Sequence, residues 1–348
     1  MSRRFTRGLV VGKFAPLHLG HEHLIGAASA ACDEIVILSY CDPEPPGCPA
    51  ERRRRWLAAR FPFARSVVVT AAWLAAHQAG GAAIPPDAAD GAEHRRFVAW
   101  LLDQVLAAPV DAVFTSEPYG DPLAAALTDR FRTRDPAARA VVHVAVDPGR
   151  RAVPISARDI RADVHEHRRW LAPEVYASFV RRVAIVGGES SGKSTLAEAL
   201  AARFETAWVP EYGRELWTER GGHLEPADLL HIAEEQVARE EAALRAAHRF
   251  LFCDTTPLTT RFYAGVLFGA VDPGLVELAR RRYDLTVLCV PDFPFVQDGT
   301  RQDAGFRARQ HAYYLEALVG EPLVEATGEP GARVDAVARA LRDRFTAA

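Results

Sequence analysis

Gly187-Gly188-Glu189-Ser190-Ser191-Gly192-Lys193-Ser194 follows the apolar run Val183-Ala184-Ile185-Val186 and precedes a helix-like stretch at 195–204. This is GxxxxGK[ST] in the strand-loop-helix setting that a phosphate-binding loop requires. In such a loop successive backbone N–H groups and the helix N-terminus cradle phosphate oxygens, the lysine reaches the β- and γ-phosphates, and the final hydroxyl ligates Mg²⁺. The expected ATP-binding residues are therefore Gly187, Gly188, Glu189, Ser190, Ser191, Gly192, Lys193, Ser194 and Thr195. Strands at 250–254, 286–290 and, more weakly, 323–325 alternate with helices, including a long one at 227–248 with Leu230, Ala233, Val237 and Leu244 on one face. Alternation of this kind specifies a parallel sheet covered on both faces.

Asp254 closes an apolar strand, where a carboxylate holds Mg²⁺ or takes a proton from an attacking hydroxyl. Helix capping ahead of Thr255-Thr256-Pro257 is its plainer role. Glu211, Tyr212 and Arg214, after the second strand of this half, are expected to bind the phosphate acceptor, and Arg301, Arg307 and Arg309 to form a lid over ATP. Taken singly, each of these arginines reads as a solvated surface residue.

The amino-terminal half carries a second informative loop, Gly12-Lys13-Phe14-Ala15-Pro16-Leu17-His18-Leu19-Gly20-His21, between a strand at 8–12 and a helix at 21–31. Two imidazoles three residues apart at a strand-to-helix turn can hold triphosphate oxygens as the α-phosphorus is attacked, Gly20 admits close backbone approach, and Lys13 adds positive charge. Gly12 and Phe14 belong to the same ATP-binding loop. Ile155-Ser156-Ala157-Arg158-Asp159-Ile160-Arg161 offers a hydroxyl at a helix start and a guanidinium a turn and a half later for the same triphosphate. Further strands are expected at 34–38, 67–69, 111–114 and 141–144, with helices at 97–106 and 123–131 and a surface insertion at 71–90.

Composition bounds these readings. The 348 residues suit two domains, and 49% hydrophobic with 25% charged residues is ordinary for globular protein. No apolar run approaches the ~18 residues of a membrane span, and five cysteines without paired spacing support neither a disulfide framework nor a zinc site. A cytoplasmic location is expected. A net charge of −3 gives no general attraction for nucleic acid. Forty of the 42 basic side chains are arginine, which singles out Lys13 and Lys193. A compact ammonium survives where a planar guanidinium would not fit.

The strings at 12–21 and 155–161 resemble the (H/T)xGH and ISxxxxR signatures of the nucleotidyltransferase superfamily. Followed at once by the P-loop, together with Phe114-Thr115-Ser116-Glu117-Pro118-Tyr119-Gly120, Val146-Asp147-Pro148 and Glu211-Tyr212-Gly213-Arg214-Glu215, they resemble the NadR family. The resemblance implies two doubly wound α/β domains, a Rossmann-like nucleotidyltransferase at 1–175 and a P-loop kinase at 176–348. It implies that the first joins nicotinamide mononucleotide (NMN) to the AMP part of ATP, giving NAD and pyrophosphate, and that the second phosphorylates ribosylnicotinamide with ATP and Mg²⁺. His18, His21, Lys13 and Arg161 would then be catalytic in the first domain, and Lys193 and Asp254 in the second, with Glu211 the alternative base. Glu117 and Tyr119 would form the NMN pocket, and Trp100 either stacks on the pyridine or belongs to the core. Some members of the family carry an amino-terminal helix-turn-helix. Only seven residues precede Gly8 here, so DNA binding is not expected; a homo-oligomeric state stays open. Two alternatives are a coenzyme A pathway fusion of an adenylyltransferase with a P-loop kinase and a nucleotide-sensing regulator with decayed sites.

Overall fold

A computed structural model describes residues 3–77, 81–297 and 302–345. The chain divides into two compact units, Met1–Ser178 and Phe179–Ala348.

The first unit runs β1 (Phe5–Val11), α1 (Leu19–Ala31), β2 (Cys32–Ser39), α2 (Ala50–Arg60), β3 (Arg65–Val68), α3 (Ala71–Ala76), α4 (Gly91–Trp100), β4 (Ala112–Thr115), α5 (Gly120–Arg132), β5 (Val142–Ala145), α6 (Ala157–Ala162) and α7 (Pro173–Tyr176). Its sheet is parallel throughout, in the order β3-β2-β1-β4-β5. The apolar run that identified β1 is buried on both faces, Leu9 and Val10 being fully inaccessible. The stretch at 71–90, expected as a surface insertion, is in part structural. Thr70 caps α3 through its hydroxyl, Leu74 is buried, and Trp73 and Ile84 pack on the core. Its Ala-rich composition hid three large apolar side chains.

The second unit runs β6 (Arg181–Gly187), α8 (Lys193–Arg203), β7 (Trp208–Val209), α9 (Tyr212–Glu219), α10 (Pro226–Ala243), β8 (Phe250–Asp254), α11 (Pro257–Phe268), α12 (Pro273–Leu278), β9 (Leu285–Cys289), α13 (Ala304–Ala317), β10 (Leu323–Ala326) and α14 (Pro330–Phe345). The order β10-β9-β6-β8-β7 is again wholly parallel. On α10 the buried residues are Asp228, Leu229, Ile232, Ala233, Gln236 and Glu240; Ala233 is as expected, Leu230 and Val237 are not among them, and three are polar or charged. Each sheet has its first strand at the centre, with later strands added on both sides. In such sheets the loops at the carboxyl ends of the central strands part and leave a crevice for ligand.

Candidate functional site

In the first unit the loop after β1 carries the expected histidines into that crevice. His18 is the N-cap of α1, its Nδ1 accepting from Gly20 N–H at 3.1 Å, while His21 Nδ1 accepts from His18 N–H at 3.4 Å. The rings lie 3.7 Å apart, and Phe14, buried with φ +50°, packs edge-on against His21. A Cβ at position 20 would stand 2.9 Å from the His18 ring, so only glycine permits this cap. Burial, then the nearby Arg150 and Arg161, lowers His18 to about 4, and burial followed by His18 and Arg150 holds His21 well below the ordinary imidazole range. Both rings are therefore neutral. Because each Nδ1 accepts from a backbone amide, each proton sits on Nε2, leaving two N–H donors.

Two hollows flank the loop. One is lined by His18, Gly20, His21, Glu117, Arg150 and Ser156, the other by Gly12, Lys13, Tyr40, Asp87, His94 and Tyr119. Glu117 and Tyr119, expected in one pocket, face different hollows. Glu117 pairs with Arg150 at 3.0 Å, whereas Tyr119 donates to the Val11 carbonyl at 2.9 Å. Lys13 is half exposed and pairs with Asp87 at 2.6 Å; its carbonyl accepts from Ser39 Oγ, which in turn accepts from the buried Arg53. Ser156 caps α6 in a reciprocal arrangement with Asp159. Arg161 donates to the Ala15 carbonyl and so grips the histidine loop from outside. Trp100 packs on the core beside Phe97 and lines neither hollow.

In the second unit the P-loop joins β6 to α8. Gly192, at φ +81°, supplies the left-handed turn that starts α8, and Lys193 Nζ donates to the Gly188 carbonyl at 3.1 Å. Gly187 sits at φ +153°, Ser190 Oγ accepts from Val296 N–H, and Thr195 is exposed in the first helical turn. Glu189 accepts from Tyr263 Oη at 2.9 Å and from Gln302 N–H at 2.7 Å, while its own N–H donates to Gln310. Arg333, 2% exposed, donates to the carbonyls of Ser191 and Val290 and pairs with Asp292, tying the loop to the end of β9. Asp254 ends β8 beside β6, hydrogen-bonded by Ser194, with Oδ1 buried and unpartnered. Burial and the neighbouring Glu211 raise its pKa.

A cavity beside the P-loop contains Glu189, Lys193, Glu211, Arg214 and Thr255, with an apolar wall of Trp217, Leu224, Leu229, Ile232 and Leu267. Glu211 and Arg214 pair at 3.4 Å. Tyr212, also expected here, turns into the neighbouring core, where its hydroxyl meets His231 and Arg239 lies over its ring. Arg307 donates to the Phe293 carbonyl and its backbone packs against Gly188; Arg309 lies over Phe306. Arg301 lies outside the described residues. Sequence reasoning missed Arg150, Arg333, Tyr263, Gln310 and Gln236. All but Arg150 sit on helices far along the chain from the loop they serve, where no local motif marks them.

Comparison with known proteins places these features. Residues 182–323 match the family model described as an AAA domain. The chain is 31% identical over 316 residues to the trifunctional NAD biosynthesis/regulator protein NadR of Escherichia coli (strain K12), covering 85% of this chain and 72% of that protein. The NadR of Salmonella typhimurium is 30% identical over 315 residues, covering 86% and 72%. Among solved structures, a NadR protein in complex with NAD and AMP-PNP superposes with a TM-score of 0.69 at 20% identity, over 99% of this chain and 97% of that one. A NadR protein in complex with NR gives 0.65 at 18% identity, over 100% and 98%. Both share the fold.

Proposed function

Since the chain belongs to the NadR family of NAD-biosynthesis proteins, we propose that it performs two ATP-dependent steps, each in its own unit. The carboxyl-terminal unit phosphorylates ribosylnicotinamide to NMN, and the amino-terminal unit, a Rossmann-like nucleotidyltransferase, joins NMN to the AMP part of ATP. The observation that carries this reading is the presence in one chain of the neutral His18/His21 pair at the start of α1 and of Lys193, Ser194 and Asp254 around a P-loop. The coenzyme A alternative falls with the family assignment.

Adenylyl transfer needs little covalent help, because the phosphate of NMN is already a nucleophile. The Nε2–H groups of His18 and His21, with the N-terminus of α1, would donate to the ATP phosphates as NMN attacks the α-phosphorus in line with departing pyrophosphate. Neutral rings suit this role, since they donate without losing a proton. Arg161 holds the loop through Ala15, and Arg150 adds positive charge to the same hollow.

In the kinase unit the acceptor hydroxyl must be positioned and must lose its proton as it attacks the γ-phosphorus. Asp254 is the first choice to receive it and Glu211 the second; Glu211 lines the acceptor cavity, and Asp254 lies beside Glu211, Lys193 and Ser194. The residues also fit Mg²⁺, because a buried unpartnered carboxylate oxygen beside a serine hydroxyl is a hard-oxygen donor set. Ser194 and Asp254 would hold it, and when bound it would neutralise charge on the β- and γ-phosphates. No described helix is long and apolar enough to cross a membrane. Five buried free cysteines support a cytoplasmic location, where thiols stay reduced.

The test is a product assay with ATP, Mg²⁺ and ribosylnicotinamide. NMN should appear first and NAD after it, and failure to form NMN, or to convert supplied NMN to NAD, would overturn the corresponding half. Measurable turnover also excludes a sensor with decayed sites.

A further inference from the structure

Among the described residues, one that lines the acceptor cavity has a buried side-chain polar atom without a hydrogen-bond partner. Gln236, on α10, is 2% exposed; its Oε1 accepts from Tyr212 N–H at 3.0 Å, and its Nε2 is buried with no partner. The two ends of the amide are not interchangeable, because only the oxygen can accept from a backbone N–H. The side chain is thus held with its donor end spare. A buried donor without an acceptor is costly, and a ligand-binding wall is where such a group is retained.

Gln236 lines the cavity on the same helical face as Ile232 and Leu229, four and seven residues earlier, which line it too. The other polar groups of the lining come from elsewhere: Lys193 from the P-loop, Glu211 from the loop after β7, Thr255 from just beyond β8. Gln236 therefore belongs to the apolar wall suited to a flat ring. Resting on the reading of this unit as a ribosylnicotinamide kinase, we propose that Gln236 is a specificity-determining residue whose Nε2–H donates to the carbonyl oxygen on the 3-position of the pyridine. Recognition of this type rejects a ring lacking the carbonyl, because the donor would then stay buried and unpaired.

The experiment compares kcat/KM for phosphorylation of 3-acetylpyridine riboside, which carries a carbonyl acceptor and no amide N–H, with that for unsubstituted pyridine riboside. The wild-type enzyme should prefer the acetyl compound by ~10-fold or more, the scale of one buried hydrogen bond. Gln236→Leu should bring the ratio near one with the KM for ATP unchanged. Gln236→Glu keeps an oxygen for Tyr212 N–H, so the local fold survives, yet sets a carboxylate against the carbonyl. It should abolish or invert the preference. A preference retained in both variants, with the two ribosides weakened equally, would overturn the proposal and assign Gln236 to the ribose or to packing alone. Absence of ribosylnicotinamide phosphorylation by the wild-type enzyme would instead strike the kinase reading itself.

Discussion

Single residues carry the chemistry here through constraints on their protonation and size. His21 is neutral, half-buried and oriented by His18 N–H, and its Nε2–H is one of two donors at the start of α1. His21→Ala should lower NAD formation from NMN by ~10²–10³-fold, the scale of losing one donor to a developing oxyanion, as a product assay would show. Since burial has already taken His18 to about 4, the rate corrected for substrate ionisation should show no inflection near 6.5. A break there would mean that an imidazolium is the working form. Lys193 is held just as closely: it is 9% exposed, with Nζ on the Gly188 carbonyl. A planar guanidinium cannot occupy that space as a point charge. Lys193→Arg should cost phosphorylation of ribosylnicotinamide on the order of 10²-fold, measured as the initial rate of NMN formation.

At the level of elements, α10 joins the cavity beside the P-loop to the sheet through polar residues on its buried face. Glu240 is fully inaccessible, accepts from Tyr283 Oη at 2.9 Å and Arg281 Nε at 3.0 Å, and so links α10 to the segment leading into β9. Burial raises its pKa to about 7, against an ordinary 4.5, despite the opposing pull of Arg281 and Tyr283. With the folded value above the unfolded one, the native state binds more protons between those two values. Stability from this group is thus present at low pH and is lost as pH rises through about 7. Glu240→Gln removes the titration, so its denaturation midpoint should change less between pH 5 and pH 8 than that of the wild-type chain. Parallel curves for the two proteins would show that Glu240 does not carry the dependence. The hydrophobic pattern of α10 pointed to Leu230 and Val237 and passed over Gln236 and Glu240, since a periodicity of apolar residues cannot register a buried polar one.

For the whole molecule, two parallel sheets in one chain, each with a loop after its central strand that is proposed to bind phosphate, make two activities that should separate by mutation. Given ATP, Mg²⁺ and ribosylnicotinamide, the His21→Ala protein should accumulate NMN. The Lys193→Arg protein should form little NMN yet convert supplied NMN to NAD at close to the wild-type rate. An equimolar mixture of the two variants should restore NAD synthesis through free NMN, followed by chromatography of the products. Joint loss of both activities in either variant would show that the two sites depend on each other.

The legible features were those written in contiguous residues. The strand-loop-helix at 181–203 and the histidine loop at 12–21 could be read directly, because backbone amides, glycine conformations and neighbouring side chains act within a few residues of one another. The strand runs were legible for the same reason, a fully buried parallel strand being a short apolar string. What tertiary structure alone decided was the company these loops keep. Arg333 reaches Ser191 from 142 residues away, Tyr263 and Gln310 reach Glu189 from 74 and 121, and Gln236 meets Tyr212 from 24. Tyr212 packed into a core although its neighbours in sequence suggested ligand contact, and for Trp100 the packing decided for the core between the two roles left open. The direction of a side chain depends on which helix is packed against its own, and that is set by burial of whole faces and not by any local string.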